Sequence, residues 1–275
     1  MALCSAFAQG QDYVALDFPG AAATRVHNIN LLGAVTGDFT VSDGRRYGFV
    51  LDAQGVFRTI AVDGALDTGA MGINRHGSVA GVYRDASGRD RAFTRRLGRT
   101  TRLDIPDAVE SGGFGINARG DVIGRFEDTE GAVHGFWFTQ ARHRPLDYPN
   151  AVATVAEGIN NTGDIVGRYR DAAGAEHGFL FRNGVYARID FPGATATRAA
   201  GINNRRDIVG SYDRDGRTHG FLMRDGVFTS MDFPDAAATV ITGVNDQGVL
   251  VGYYRDAAGA VHGFIHQEQI VATGR

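Results

Sequence analysis

The strongest constraint in this chain is a period. An asparagine recurs at Asn30, Asn74, Asn117, Asn160, Asn203 and Asn245, at intervals of 44, 43, 43, 43 and 42 residues. Seven residues after each stands a glycine: Gly37, Gly81, Gly124, Gly167, Gly210 and Gly252. A phenylalanine marks each copy (Phe49, Phe93, Phe136, Phe179, Phe221, Phe264), and so does an aspartate (Asp17, Asp63, Asp104, Asp147, Asp190, Asp232). A fixed period of this size means units that cannot bury an apolar face alone and must pack against their neighbours.

One copy divides into four strands. Thr197–Ile202 is apolar and β-prone, and a turn opens at Asn203. Asp207–Tyr212 follows, then a polar loop at Asp215-Gly216 and a third strand at His219–Met223. Asp225-Gly226 is a two-residue hairpin signal leading to Phe228–Phe233. Pro234 then ends the ladder, because proline has no N–H to give it. The 39 glycines against 6 prolines suit many tight turns, and no stretch keeps a helical period. Four short antiparallel strands per copy is one propeller blade, so the expected fold is an all-β, six-bladed β-propeller. The ends favour a closed ring over a linear array. A lone fourth strand, Tyr13–Phe18, precedes the first copy, and the last copy stops after its third strand, Gly263–His266. The N-terminal strand can therefore complete the last blade and hide both sheet edges. The propeller is expected over residues 11–267, with a C-terminal tail at 268–275.

Gly158-Ile159-Asn160-Asn161, Gly163-Asp164-Ile165-Val166-Gly167, His177-Gly178-Phe179 and Ile189-Asp190-Phe191-Pro192-Gly193-Ala194 resemble the HAF repeat. The resemblance runs from about Asp12 to Gly263, with departures at Tyr47-Gly48-Phe49 and Arg91-Ala92-Phe93. It implies a bacterial extracellular protein and supplies no catalytic residue. Residues 1–10, with Ala6-Phe7-Ala8 before Gln9, read as a signal-peptide remnant or a tail. Cys4, the one cysteine, would leave with it, as suits an oxidising extracellular or periplasmic compartment.

The net charge of −3, with both signs interspersed, gives no basic stripe for nucleic acid. No apolar run reaches about 18 residues, so no membrane span is expected. No cofactor motif is present, no metal site is expected, and the protein is expected to be a monomer.

Several constant columns imitate active sites. His134, His177, His219 and His262 recur, but equivalent positions in a ring lie a blade apart and cannot share one ion. A hydroxyl column (Thr24, Thr68, Ser111, Thr154, Thr197, Thr239) comes to the same rim as the His and Asp columns. Ser111 with His134 and Asp104 or Asp147 is the most triad-like set, yet it lacks a Gly-x-Ser-x-Gly elbow. A hydrogen-bond network holding blades together is the reading preferred for these columns. The Asn–Gly turns are expected to be closed by the Asn side chain, and one Asp per loop is poor ligand supply for calcium. Trp137 is expected to pack in the core, the alternative being a ligand platform.

Function should lie where the copies differ. Three residues before the Asn the column reads His27, Met71, Phe114, Glu157, Ala200, Thr242. Five before, it reads Arg25, Gly69, Gly112, Val155, Arg198, Val240. After the strand-two Gly it reads Asp38, Val82, Arg125, Arg168, Ser211, Tyr253. If strand one is innermost, these columns surround a central channel. His27 and Glu157 are the candidate acid–base pair. Arg25, Arg125, Arg168, Arg198 and Tyr253 are candidate ligand contacts, the arginines suiting a carboxylate or sulfate, and Met71 and Phe114 are candidates for an apolar pocket. The leading expectation is a secreted or periplasmic binding or scaffold protein for a glycan, small molecule or other extracellular ligand. In a lectin with near-identical sites between blades, Arg84-Asp85, Arg170-Asp171 and Arg255-Asp256 would be rim contacts. The alternative is a lyase, hydrolase or isomerase with one asymmetric site in the channel.

Overall fold

The structure is a computed structural model that describes residues 13–139 and 142–267. The N-terminal segment with Cys4 and the tail from residue 268 lie outside these residues. Six four-stranded antiparallel blades follow one another around an axis, forming the expected propeller, with one parallel pair, Val133 and Ala153, joining blades three and four. Blades one to five occupy residues 23–60, 67–102, 110–145, 153–189 and 196–231, and blade six begins at residue 238. The fourth strand of blade six is supplied by the other end of the chain. Tyr13–Leu16 pairs with Val261–His266, Tyr13 opposite His266 and Leu16 opposite Gly263.

The strands fall where the pattern placed them, within two or three residues at their ends. In blade five they are Ala196–Ile202, Ile208–Arg214, Arg217–Arg224 and Val227–Met231. Asp225 and Gly226 both have positive φ, 52° and 80°, which is the two-residue turn that matches strand twist. Strand one of each blade contacts strand one of the next, so these strands line the axis.

The constant columns build the seams. All six column phenylalanines are fully buried. Their rings lie over the glycine column: a Cβ on Gly210 would sit 1.9 Å from the Arg198 carbonyl oxygen and 2.8 Å from the Phe221 ring. Nothing larger than glycine fits there. The Asn side chains do what the turn predicts, Asn160 Oδ1 accepting the N–H groups of Thr162 and Asp164. They also do something the repeat did not reveal. Asn30 Nδ2 donates to the Asn74 carbonyl at 3.0 Å, Asn74 to Asn117, Asn160 to Asn203 and Asn203 to Asn245. Asn245 donates back to the Asn30 carbonyl at 3.3 Å, which joins the sixth copy to the first. Asn117 instead turns to Asp121, at 2.9 Å.

At the opposite rim each column histidine ties a fourth-strand Asp into the blade, and three of them also reach the loop Asp. His177 Nδ1 meets Asp190 at 3.0 Å and its Nε2 meets Asp171 at 3.2 Å. His134 joins Asp147 and Asp128, and His262 joins Asp17 and Asp256. Where His is replaced, the task moves. Arg91 binds Asp85 at 2.8 Å and donates to the Val109 carbonyl of the next blade. Tyr47 stacks on Phe39 beneath the Arg45 guanidinium. No hydrogen bond joins the hydroxyl column to the histidines among the described residues. Thr197 Oγ1 accepts the Phe191 N–H at 3.0 Å, and Ser111 Oγ accepts the Ala92 N–H. In the triad-like set His134 and Asp147 are thus paired at 2.9 Å, while Ser111 is engaged by the Ala92 N–H instead. Trp137 packs into the cluster around Ile165 and Phe179, as expected of a core side chain.

Candidate functional site

Strand one carries the same irregularity in all six blades. Its pairing with strand two slips by one residue, between Val26 and Asn28, Ala70 and Gly72, Gly113 and Gly115, Ala156 and Gly158, Ala199 and Gly201, and Ile241 and Gly243. The extra residues are His27, Met71, Phe114, Glu157, Ala200 and Thr242, the most variable column of the repeat. A bulge leaves one residue outside the ladder and re-aims its side chain. Here all six project into one cavity of about 430 Å³ on the axis, within the range of small-molecule pockets. The glycine after the bulge lets adjacent strands close up: a Cβ on Gly158 would lie 2.8 Å from the Ala200 carbonyl. Blade one has Asn28 there. That residue lines both this cavity and a second one, of about 280 Å³, beside the Asn ring.

Of the sequence candidates, His27, Met71, Phe114, Glu157, Arg168, Arg198 and Tyr253 all line the larger cavity. Arg25 and Arg125 do not. Arg25 stands next to it, 3.8 Å from Asp38 and 6.0 Å above the Tyr253 ring. Arg125 is half-buried on strand two of blade three and has no ion pair among the described residues. His27 and Glu157 belong to blades one and four, across the ring. No bond joins them among the described residues, and each has its own partner.

The two sides of the cavity are electrostatically distinct. In blades four and five a chain of paired charges runs along the wall. Arg168 binds Glu157 at 2.6 Å and Glu176 at 3.1 Å. Arg198 binds Glu176 at 2.6 Å and Asp213 at 3.0 Å. Thr218 donates to Asp213 at 2.7 Å. Burial opposes the charge on Arg198, but its bond to Asp213 and the Glu176 charge outweigh this and raise its pKa. The arginines expected to wait for an acidic ligand are thus already held by carboxylates of the protein. In blade one, His27 Nε2 lies 2.5 Å from Asp38 Oδ2. Asp38 is 1% exposed. Burial would favour its neutral form, yet His27, Arg46 and Arg25 together hold its pKa below the usual carboxylate range. Burial raises the Tyr253 pKa; Arg25 and Arg168 pull it down, while Glu157 and Asp38 push it up. The phenol therefore feels charges on both walls. Met71 and Phe114 form the apolar wall, packed close over Gly69 and Gly112: a Cβ on Gly112 would lie 3.3 Å from the Phe114 ring.

Glu176 and Asp213 were not singled out from the sequence. Both lie outside the three columns in which the copies were compared for function. Asp38 carried a usable signal, as the one carboxylate in its column.

The sequence matches no protein family and no curated protein. Solved structures share its fold. AofleA from Arthrobotrys oligospora is 12% identical, with 94% of this chain and 86% of that chain covered and a TM-score of 0.63. The lectin of Aleuria aurantia, a six-bladed propeller with a fucose recognition mode of its own, is 7% identical with 95% of each chain covered and a TM-score of 0.56. TolB from Acinetobacter baumannii is 10% identical over 91% of this chain and 65% of that one, with a TM-score of 0.59. At these identities the likeness establishes one property of this chain: it is a six-bladed β-propeller.

Proposed function

We propose that this protein is an extracellular or periplasmic binding protein that takes one hydroxyl-rich, saccharide-sized ligand in its central cavity. The observation that carries this reading is the bulge column: one geometry repeated six times, presenting six different side chains to one space. Identical ligand sites between blades would need the repeated chemistry to be open. It is occupied instead. Phe18 stacks on Phe39, Tyr148 on Tyr169, Phe191 on Tyr212 and Phe233 on Tyr254, with ring centroids 3.6 to 3.7 Å apart. The rim aspartates Asp85, Asp171 and Asp256 hold Arg91, His177 and His262.

Paired charges favour hydroxyls. A ligand anion would have to displace Glu176 or Asp213 from an arginine, whereas a sugar hydroxyl can donate to the carboxylate and accept from the guanidinium at once. Met71 and Phe114 supply a surface for the apolar face of a sugar ring. The lectins that share the fold, including SapL1 in complex with alpha methyl fucoside, give the ligand class a precedent on this scaffold. The HAF-repeat resemblance supports the compartment.

The test is a saccharide panel titrated against the protein and against Glu157→Gln and His27→Ala. Each substitution should weaken binding about tenfold, the equivalent of about 1.4 kcal/mol. Unchanged affinity in both would remove the cavity from consideration.

A further inference from the structure

Blades six and one hold a second constellation on the cavity wall, distinct from the paired charges of blades four and five. Asp38, kept ionised, can only accept a hydrogen bond, so the proton between it and His27 resides on Nε2. In the neutral form of the ring this leaves the lone pair on His27 Nδ1, an atom with no hydrogen-bond partner among the described residues. The Tyr253 hydroxyl also has no hydrogen-bond partner among the described residues, and it is a phenol that stays protonated. Arg25 sits between them: two residues from His27 on the same strand, 3.8 Å from Asp38, and over the Tyr253 ring. Its separation from Asp38 is too long for a hydrogen bond, so its N–H groups remain available to a ligand.

These are a base, an acid and, at the edge of the cavity, a cation whose carboxylate neighbour is beyond hydrogen-bond distance. Hydrolysis of a glycosidic bond ordinarily asks for a carboxylic acid opposite a second carboxylate. Here Asp38 is buried behind His27 and Glu157 is bound to Arg168, so neither serves as the acid. An imidazole and a phenol lining one cavity suit another reaction: removal of a proton from carbon with expulsion of a neighbouring oxygen.

Resting on the saccharide reading of the cavity, we infer that the site cleaves a uronate-containing saccharide by β-elimination, with His27 as base, Tyr253 as acid and Arg25 as the receptor of the sugar carboxylate. His27 Nδ1 takes the proton from the carbon bearing the carboxylate. The electron pair of that C–H bond becomes the double bond to the adjacent ring carbon, and the bond from that carbon to the glycosidic oxygen breaks. The departing oxygen takes the Tyr253 proton. Imidazolium and phenolate return to their starting forms by exchange with water, so no oxidant, reductant or second substrate is consumed. Arg25 stabilises the charge that accumulates on the carboxylate as the C–H bond breaks. Asp38 is a positioning residue, fixing the tautomer and the orientation of the ring.

The experiment incubates the full chain with polygalacturonate, alginate and glucuronate-containing oligosaccharides. It follows the ultraviolet absorbance of the unsaturated product, with binding of the same sugars measured by calorimetry. The expected result is product from at least one uronate. His27→Ala and Tyr253→Phe should each lose about 100-fold or more in rate, the usual contribution of a general acid or base, while still folding as judged by circular dichroism. Asp38→Asn should lower kcat with KM unchanged, a split that general loosening of the fold would not produce. Binding of uronates without product, or full rate in His27→Ala, overturns the elimination and leaves the binding reading standing. No binding of any sugar overturns both.

Discussion

Replacing Leu16 by alanine tests whether the chain's first strand is part of its last blade. Leu16 is 5% exposed and packs in one cluster with Val26 and Phe49 of blade one and Val251 and Ile265 of blade six. The change removes three buried carbons, about 2.4 kcal/mol at about 0.8 kcal/mol each. The cavity left between two rigid sheets adds to this, so a total of about 3 kcal/mol is expected, inside the usual range of roughly 2–5 for buried leucine. Leu146, the same position at the end of the fourth strand of blade three, is 4% exposed and should cost about the same. Urea unfolding followed by circular dichroism and by Trp137 fluorescence gives both numbers. Because Trp137 lies in blade three, it also reports whether a weakened seam at blade six lowers the stability of the whole ring. If Leu16→Ala costs under about 0.5 kcal/mol while Leu146→Ala costs about 3, the strand is not docked and the closure argument fails.

Three further outcomes follow from the same contacts. Gly210→Ala should destabilise by roughly 3 kcal/mol or more, seen as loss of soluble folded protein, because its Cβ would overlap the Arg198 carbonyl. Glu176→Gln, which loosens its hold on both Arg168 and Arg198, should weaken saccharide binding about tenfold by calorimetry with little change in melting temperature. The rim histidines give a pH dependence. The pKa of His262 is raised by its bond to Asp17. That of His134 is raised because its bonds to Asp147 and Asp128 outweigh burial. A folded-state pKa above the unfolded value, about 6.5, means the contribution is complete below about pH 6.5 and is lost as pH rises through the raised value. Urea midpoints measured across that window should fall with pH, and less steeply in a His134→Gln, His262→Gln double variant.

Much of the architecture is legible in the sequence because each constant column answers one steric or hydrogen-bonding demand. Gly210 is fixed by a carbonyl and a ring, Asn160 by its turn, His177 by two aspartates. The split copy at Tyr13–Leu16 even gives the closure. The channel column was also legible, as the place where copies disagree. What the period could not convey is the bulge. A one-residue slip in pairing leaves spacing along the chain unchanged, so nothing in the period marks His27 and Glu157 as residues outside the ladder. Partnership across seams was hidden for a related reason. Glu176 reaches Arg198 of the next blade, and Asn245 reaches Asn30 across 215 residues, and neither distance is encoded in one copy. The arginines consequently looked free, although two of the four are fully engaged by acids.

The most direct measurement is the stoichiometry of ligand binding, obtained by titration calorimetry with the tightest saccharide from the panel. One ligand per chain, weakened by Glu157→Gln, is the result predicted by a single asymmetric cavity on the axis. Several equivalent ligands per chain, unaffected by that substitution, would place recognition at the repeated seams and contradict the account.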